Sequence, residues 1–291
     1  MSPEQEVKVM SVTKLEFRSK ILDMDQEVLV VLPDKGEMAP AEPPVPESGW
    51  PVLYLLHGTS HDYSHWMRYT SIERYSTDRK LAIVMPSAQL SGYADMVYGE
   101  AFFSYLTDEL PELIRSIFPV STRREDTFVA GCSMGGYGAA KIGLTYPDRY
   151  AAIGAISNGN HAYIRPIGFH ARNSLEEFSP AVADARHLLC WGIGKEGDPR
   201  GTGEDLYTLA ENDLKSGKPL PAIFHTCGSF DRNLAMSQDM RNYFQSLEGD
   251  PFRYSYYEEP FGEHTWHYWD RWIKTFMAWL PIRLDSSNLP L

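Results

Sequence analysis

A chain of 291 residues with 43% apolar and 23% charged side chains has the composition of a globular protein able to bury a large core. Its formal charge of −12 argues against nucleic acid or an anionic membrane as partner, because polyanions are held by basic surfaces. Three cysteines (Cys132, Cys190, Cys227) with no CxxC spacing exclude a disulfide framework and read as small buried apolar residues.

The opening "MSPEQEVKVMSVTKLEF" has no apolar stretch of signal-peptide length, and no window reaches the length of a membrane span. The expectation is a soluble, cytoplasmic protein. Short β-rich runs then follow one another: "EVLVVLP" (27–33), "PVLYLLHG" (51–58), "LAIVMP" (81–86), "TFVAG" (127–131), "YAAIGAIS" (150–157), "PAIFHTCG" (221–228) and "FRYSYYEE" (252–259). Most are apolar on both faces, the pattern of parallel strands covered by helices on each side. Helix-period stretches lie between them. Phe103, Leu106, Leu110, Leu113 and Ile117 form one stripe, with Pro111 as a predicted kink. A small-residue stretch at 134–146 stops at Pro147, a helix is predicted near 203–214, and Met236, Met240, Tyr243, Phe244 and Leu247 form the next stripe. Trp266, Trp269, Ile273 and Phe276 form the last, ended by Pro281. Such alternation predicts a doubly wound α/β fold. Two segments interrupt it, a Pro-rich loop at about 36–49 and a cap-like excursion at about 159–220. Neither reads as an independent domain, so residues 1–291 are expected to form one.

"VAGCSMGGYGAA" (129–140) carries the first chemical signal. A Walker A loop would need GxxxxGKS/T, and the dinucleotide fingerprint GxGxxG fails because position 133 is serine. What remains is a silent strand-to-helix junction or a nucleophile elbow, G-x-S-x-G. Here Ser133 ends a strand and begins a small-residue helix, the setting the elbow requires. A serine hydroxyl is a poor nucleophile unless a base and an orienting acid follow, in the order Ser, Asp/Glu, His. "AIFHTCGSFDRN" places Asp231 just after a later strand; Asp198 and Asp205, in the excursion, are weaker candidates. "EEPFGEHTWHYWDRW" places His264 in a loop and His267 inside the following helix, so His264 is the expected base. His225 lies within its strand and reads as core. The oxyanion amides are expected at Met134, after the nucleophile, and at Thr59, in the loop after "PVLYLLHG". The spacing His57, His61, His65 suggests a metal site, but His57 ends a strand, so helical spacing does not hold across 57–61, and there is no HExxH. No metal or organic cofactor is expected.

With these residues assembled, the chain resembles the esterase branch of the α/β-hydrolases that holds S-formylglutathione hydrolases, feruloyl and acetyl xylan esterases, mycolyltransferases and tributyrin esterases. The resemblance is carried by "LLHGTSHDYSHW", "VMPSAQLSGYADMVYGEAFFSYLTDELPELI", "FVAGCSMGGYGAAKIGLTYPDRY" and "GEHTWHYW", and runs from about 12 to 280. It implies an α/β-hydrolase fold with Ser133, Asp231 and His264 as triad and Thr59 and Met134 as oxyanion donors. The departure "HGTS" turns the expectation away from glutathione thioesters, while the polar excursion and the resemblance to tributyrin and acetyl esterases point to short-chain acyl esters, acetyl to butyryl, including acetylated sugars. The alternatives are an S-formylglutathione hydrolase-type thioesterase and a non-catalytic binding protein. Trp66, Tyr93, Tyr98 and Trp191 are the aromatics expected to line the substrate pocket, and the expected partner is a small-molecule ester, with self-association into a homo-oligomer left open.

Overall fold

The computed structural model describes residues 12–34, 44–160, 188–192 and 199–282. Eight strands form one sheet: β1 Val12–Arg18, β2 Asp25–Val31, β3 Val52–Leu56, β4 Ala82–Pro86, β5 Thr127–Cys132, β6 Ala152–Ile156, β7 Ala222–Gly228 and β8 Ser255–Glu259. Their spatial order is β1-β2-β4-β3-β5-β6-β7-β8. Strand β2 is antiparallel to both neighbours, and β4 through β8 pair in parallel. This is the mostly parallel α/β architecture expected.

Among the described residues the sheet is flanked by helices that include α1 His65–Tyr69, α2 Ile72–Arg79, α3 Phe102–Ser104, α4 Leu110–Ile117, α5 Met134–Thr145, α6 Leu206–Ser216, α7 Leu234–Ser246 and α8 Trp266–Trp279. They cover both faces because the central strands are apolar on both. Val52, Tyr54 and Leu56 of β3 face a cluster built with Leu110, Ile114, Tyr137, Ile142 and Phe244. Leu53 and Leu55, pointing the other way, join Trp66, Ile72, Tyr75, Trp269, Ile273 and Phe276. None of the described helices is long and apolar enough to cross a membrane.

Three elements go beyond the sequence reading: β1, whose "VTKLEFR" alternates on the sheet edge, and the short helices α1 and α2. The break expected at Pro111 takes the form of a π-turn, Tyr105–Glu109, directly before α4. Proline lacks an N–H and its ring crowds the carbonyl four residues back, here Thr107. The Thr107 carbonyl accepts from Arg149 Nη1 at 2.9 Å. Helix α6 falls where a helix was expected; residues 161–187 and 193–198 of the excursion, including Asp198, lie outside the described residues.

Parallel register decides where chemistry can sit. Leu56 pairs with Gly131, Cys132 with Ile156, and Gly228 with Glu259, so the C-terminal ends of β3, β5, β6, β7 and β8 lie side by side. Ligands of open α/β sheets bind along that edge.

Candidate active site

Ser133 links β5 to α5 with φ 56° and ψ −122°, a conformation that costs a non-glycine residue on the order of 1–3 kcal/mol and persists only where the surroundings impose it. They do so here. Ser133 N–H donates to Ile156 O at 2.8 Å, and its own carbonyl accepts from Gly136 and Tyr137 N–H at 3.0 and 3.2 Å. The flanking glycines are required by space: a Cβ on Gly131 would stand 2.5 Å from Gly135 backbone, and one on Gly135 would stand 2.4 Å from Leu56 O.

The turn brings Ser133 Oγ to 3.0 Å from Nε2 of His264, which follows β8. On its other side His264 Nδ1 lies 2.9 Å from each carboxylate oxygen of Asp231, which follows β7. That contact places the proton on Nδ1 and turns the Nε2 lone pair toward the serine. Burial alone would push the Asp231 carboxyl up. The hydrogen bond and charge of His264, the Asn233 N–H and the Ser157 hydroxyl outweigh it and hold the group below the usual carboxylate range, so it is ionised at neutral pH. Two backbone contacts weld the loops of Asp231 and His264 together: Phe230 N–H donates to Gly262 O, and Ser229 N–H to Glu259 O, both at 2.9 Å.

The loop after β3 passes over the same point. An ideal Cβ on Gly58 would stand 3.5 Å from Ser133 Cβ, so the Gly58–Thr59 segment lies against Ser133. Met134, at the first position of α5, has an N–H with no place in the helical ladder. Among the described residues, no hydrogen bond takes up the N–H of Thr59 or of Met134. The arrangement joins a strained serine, an imidazole held by a buried carboxylate, a loop amide and an amide at the start of a helix. Chemically it can generate an alkoxide-like oxygen and receive a negatively charged one.

The family model described as "Putative esterase" matches residues 19–281. The chain belongs to this esterase family. It is a carboxylic ester hydrolase. The acetyl esterase of Caldicellulosiruptor saccharolyticus is 28% identical over 276 residues, which is 93% of this chain and 98% of that one. Among solved structures, the fluorophosphonate-binding serine hydrolase FphF of Staphylococcus aureus is 31% identical with a TM-score of 0.73, covering 92% of this chain and 97% of its own. The S-formylglutathione hydrolase FrmB of the same organism is 32% identical with a TM-score of 0.73, covering 92% and 98%.

Of the aromatics expected to line the pocket of the esterase, two are corrected. Trp66 is 1% exposed and donates its indole N–H to Leu56 O at 2.9 Å. Tyr93 is 0% exposed and donates its hydroxyl to His57 O at 2.7 Å. Both side chains are buried and spend their polar groups on the backbone at the end of β3. Tyr98 is exposed, and the Trp191 ring packs over Gly92 and edge-on to Tyr137. Asp205 is committed elsewhere in the esterase as the N-cap of α6, accepting from Tyr207 and Thr208 N–H. His267 is exposed and His225 is buried, as their helix and strand positions suggested.

The histidine triplet is also explained. His57 is buried, its Nε2 accepts from Ala88 N–H at 2.9 Å, and its Nδ1 lies 2.8 Å from Gly58 O. Both nitrogens are spent on backbone, so His57 ties the β3 loop to the β4 loop of the esterase and has none left for a metal. Ser157, Asn233 and Trp269 were not foreseen. Trp269 donates to Ser157 Oγ at 2.9 Å, and Asn233 Nδ2 donates to Ser157 O at 2.9 Å. These contacts join the ends of β6, β7 and α8 across 76 to 112 residues, a separation at which no local pattern signals them.

Proposed function

We propose that this esterase cleaves short-chain acyl esters, acetyl to butyryl, through a covalent acyl-serine intermediate. The observation that carries the reading is the continuous hydrogen-bonded line from the strained Ser133 through His264 to Asp231, at 3.0 and 2.9 Å. Ser133 Oγ attacks the ester carbonyl as His264 Nε2 takes its proton. Asp231 holds the imidazole tautomer and stabilises the imidazolium that forms. The N–H groups of Thr59 and Met134 receive the oxyanion of the tetrahedral intermediate. His264 then protonates the leaving alcohol, and water repeats the cycle on the acyl-enzyme, releasing the acid and restoring the serine. No step calls for a cofactor.

Short acyl groups are favoured by composition. The excursion that would have to supply a broad apolar lid is rich in polar and charged stretches such as "GKEGDPRGTGEDLY" and "AENDLKSGK". The similarity to an acetyl esterase along nearly its whole length supports the same reading, with acetylated sugars as one class of alcohol. Each buried methylene would contribute about 0.8 kcal/mol if the site had room. A site without room therefore shows kcat/KM peaking at two to four carbons. Measuring acetate, butyrate, octanoate and decanoate p-nitrophenyl esters under one condition tests this, and a maximum at octanoate or beyond rejects it. The likeness to the Staphylococcus aureus S-formylglutathione hydrolase favours a second reading, thioester cleavage. A higher kcat/KM for S-formylglutathione than for any of the esters would establish that one instead.

A further inference from the structure

We infer that His61 is a positioning residue for the oxyanion loop, acting through the faces and edges of its ring and not through its nitrogens. The inference rests on the reading that Thr59 N–H receives the oxyanion, and it concerns what keeps that donor still. Preorganised donors stabilise developing charge only when the backbone that carries them does not have to move at the moment of reaction. The carrier here is a four-residue turn, Gly58 to His61, closed by one long hydrogen bond, His61 N–H to Gly58 O at 3.3 Å, with Ser60 at φ 64°. A turn held so weakly needs a support from outside.

The His61 ring supplies one. It lies against the His65 ring with centroids 4.4 Å apart and planes at 24°. It also meets the Trp266 ring at 5.2 Å and stands edge-on to Trp269 at 6.1 Å and 72°. Trp269 in turn stands edge-on to His264, at 5.0 Å and 89°. One side chain thus connects the turn to the aromatic group that backs the base. It also reaches the nucleophile's neighbourhood: an ideal Cβ on Gly58 would be 3.3 Å from His61 Nδ1 and 3.5 Å from Ser133 Cβ. The nitrogens hold nothing. Nδ1 is buried without a hydrogen-bond partner, and no hydrogen bond among the described residues involves the ring. Burial first, then the neighbouring His65 and His57, push its pKa down to about 4, so at neutral pH an uncharged ring lies on His65.

His61→Phe and His61→Gln separate ring from nitrogen. The expected result is kcat within about threefold of wild type for Phe and about thirtyfold lower for Gln, with KM for butyrate ester little changed, because the lost term belongs to the transition state. A trifluoromethyl ketone, whose hemiketal oxyanion mimics that state, should weaken in parallel with kcat/KM across the series. His65→Leu, which removes the stacking partner from outside the turn, should lower kcat in the same direction and guards against a His61 variant that does not fold. Near-wild-type turnover in folded His61→Gln, or His61→Phe as damaging as Gln, overturns the inference. Fluorophosphonate labelling is run alongside: if wild type labels and Ser133→Ala does not, the serine reading stands whatever His61 does, and an unlabelled wild type overturns that reading itself.

Discussion

The indole of Trp269 stands edge-on to the His264 ring, 5.0 Å between centroids, yet gives its N–H to Ser157 Oγ at 2.9 Å. Because Ser157 accepts that hydrogen, its own hydroxyl proton is free for the Asp231 carboxylate, where it helps keep the group ionised. Ser157 sits at φ 53°, held by its N–H on Thr226 O at 2.7 Å and by Asn233 Nδ2 on its carbonyl, so the strained backbone is imposed from both sides. Ser157→Ala should therefore fold and lose about 10- to 150-fold in kcat/KM, the worth of one hydrogen bond to a charged group. Unchanged steady-state kinetics in the folded variant would remove Ser157 from the support of Asp231.

His264→Ala and His267→Ala form a paired test of the base. The first removes the only imidazole within reach of Ser133 Oγ among the described residues, at 3.0 Å, whereas His267 faces solvent. Loss of roughly 10⁴-fold or more in kcat is expected for His264→Ala, and near-normal turnover for His267→Ala. Initial rates on acetate ester decide, and the reverse ranking would place the base wrongly.

Helix α5, which begins just after Ser133, is tied to the start of α6 by an ion pair whose lysine is buried. Lys141 Nζ lies 2.7 and 2.8 Å from the Glu204 carboxylate oxygens and 3.1 Å from Tyr93 O, and the Tyr137 hydroxyl lies 3.0 Å from the same carboxylate. Burial pulls the Lys141 pKa down, against the pull of Glu204. Glu204→Ala should cost about 3 kcal/mol because an enclosed ammonium is left unpaired, while Lys141→Met with Glu204→Gln should cost less. Urea unfolding of the two proteins checks the ranking; equal stabilities would mean that the pair is well solvated.

Asp213 on α6 is buried, and its Oδ2 has no hydrogen-bond partner. Burial raises its pKa to about 7, from an ordinary value of 3.8 in the unfolded chain. Between those values the folded state holds a proton that the unfolded state has released, so this residue's contribution falls as pH rises from about 4 to about 7 and stays low above it. Asp213→Asn should remove that slope and be more stable than wild type by roughly 1–3 kcal/mol at pH 8, with the gap closing toward pH 4. Chemical denaturation at both pH values measures it, and a wild type as stable as the variant at pH 8 contradicts the burial of an ionised group.

What could be read from the residues in order is what local physics determines. Gly131, Ser133 and Gly135 announce an elbow because only small flanking residues let α5 begin against Leu56 O. Asp231 and His264 are legible because each follows a strand that must end at the same sheet edge. The strand–helix alternation is legible because strands apolar on both faces need cover on both. Direction is another matter. Trp66 and Tyr93 have the composition of pocket residues, but only the packed structure turns their donors under β3 onto Leu56 O and His57 O. The same holds for Ser157 and Trp269, brought together across 112 residues, and for His61, whose ring partners come from α1 and α8. A side chain's chemistry is set by its own residue, whereas the groups it meets are set by which strand ends the sheet places side by side.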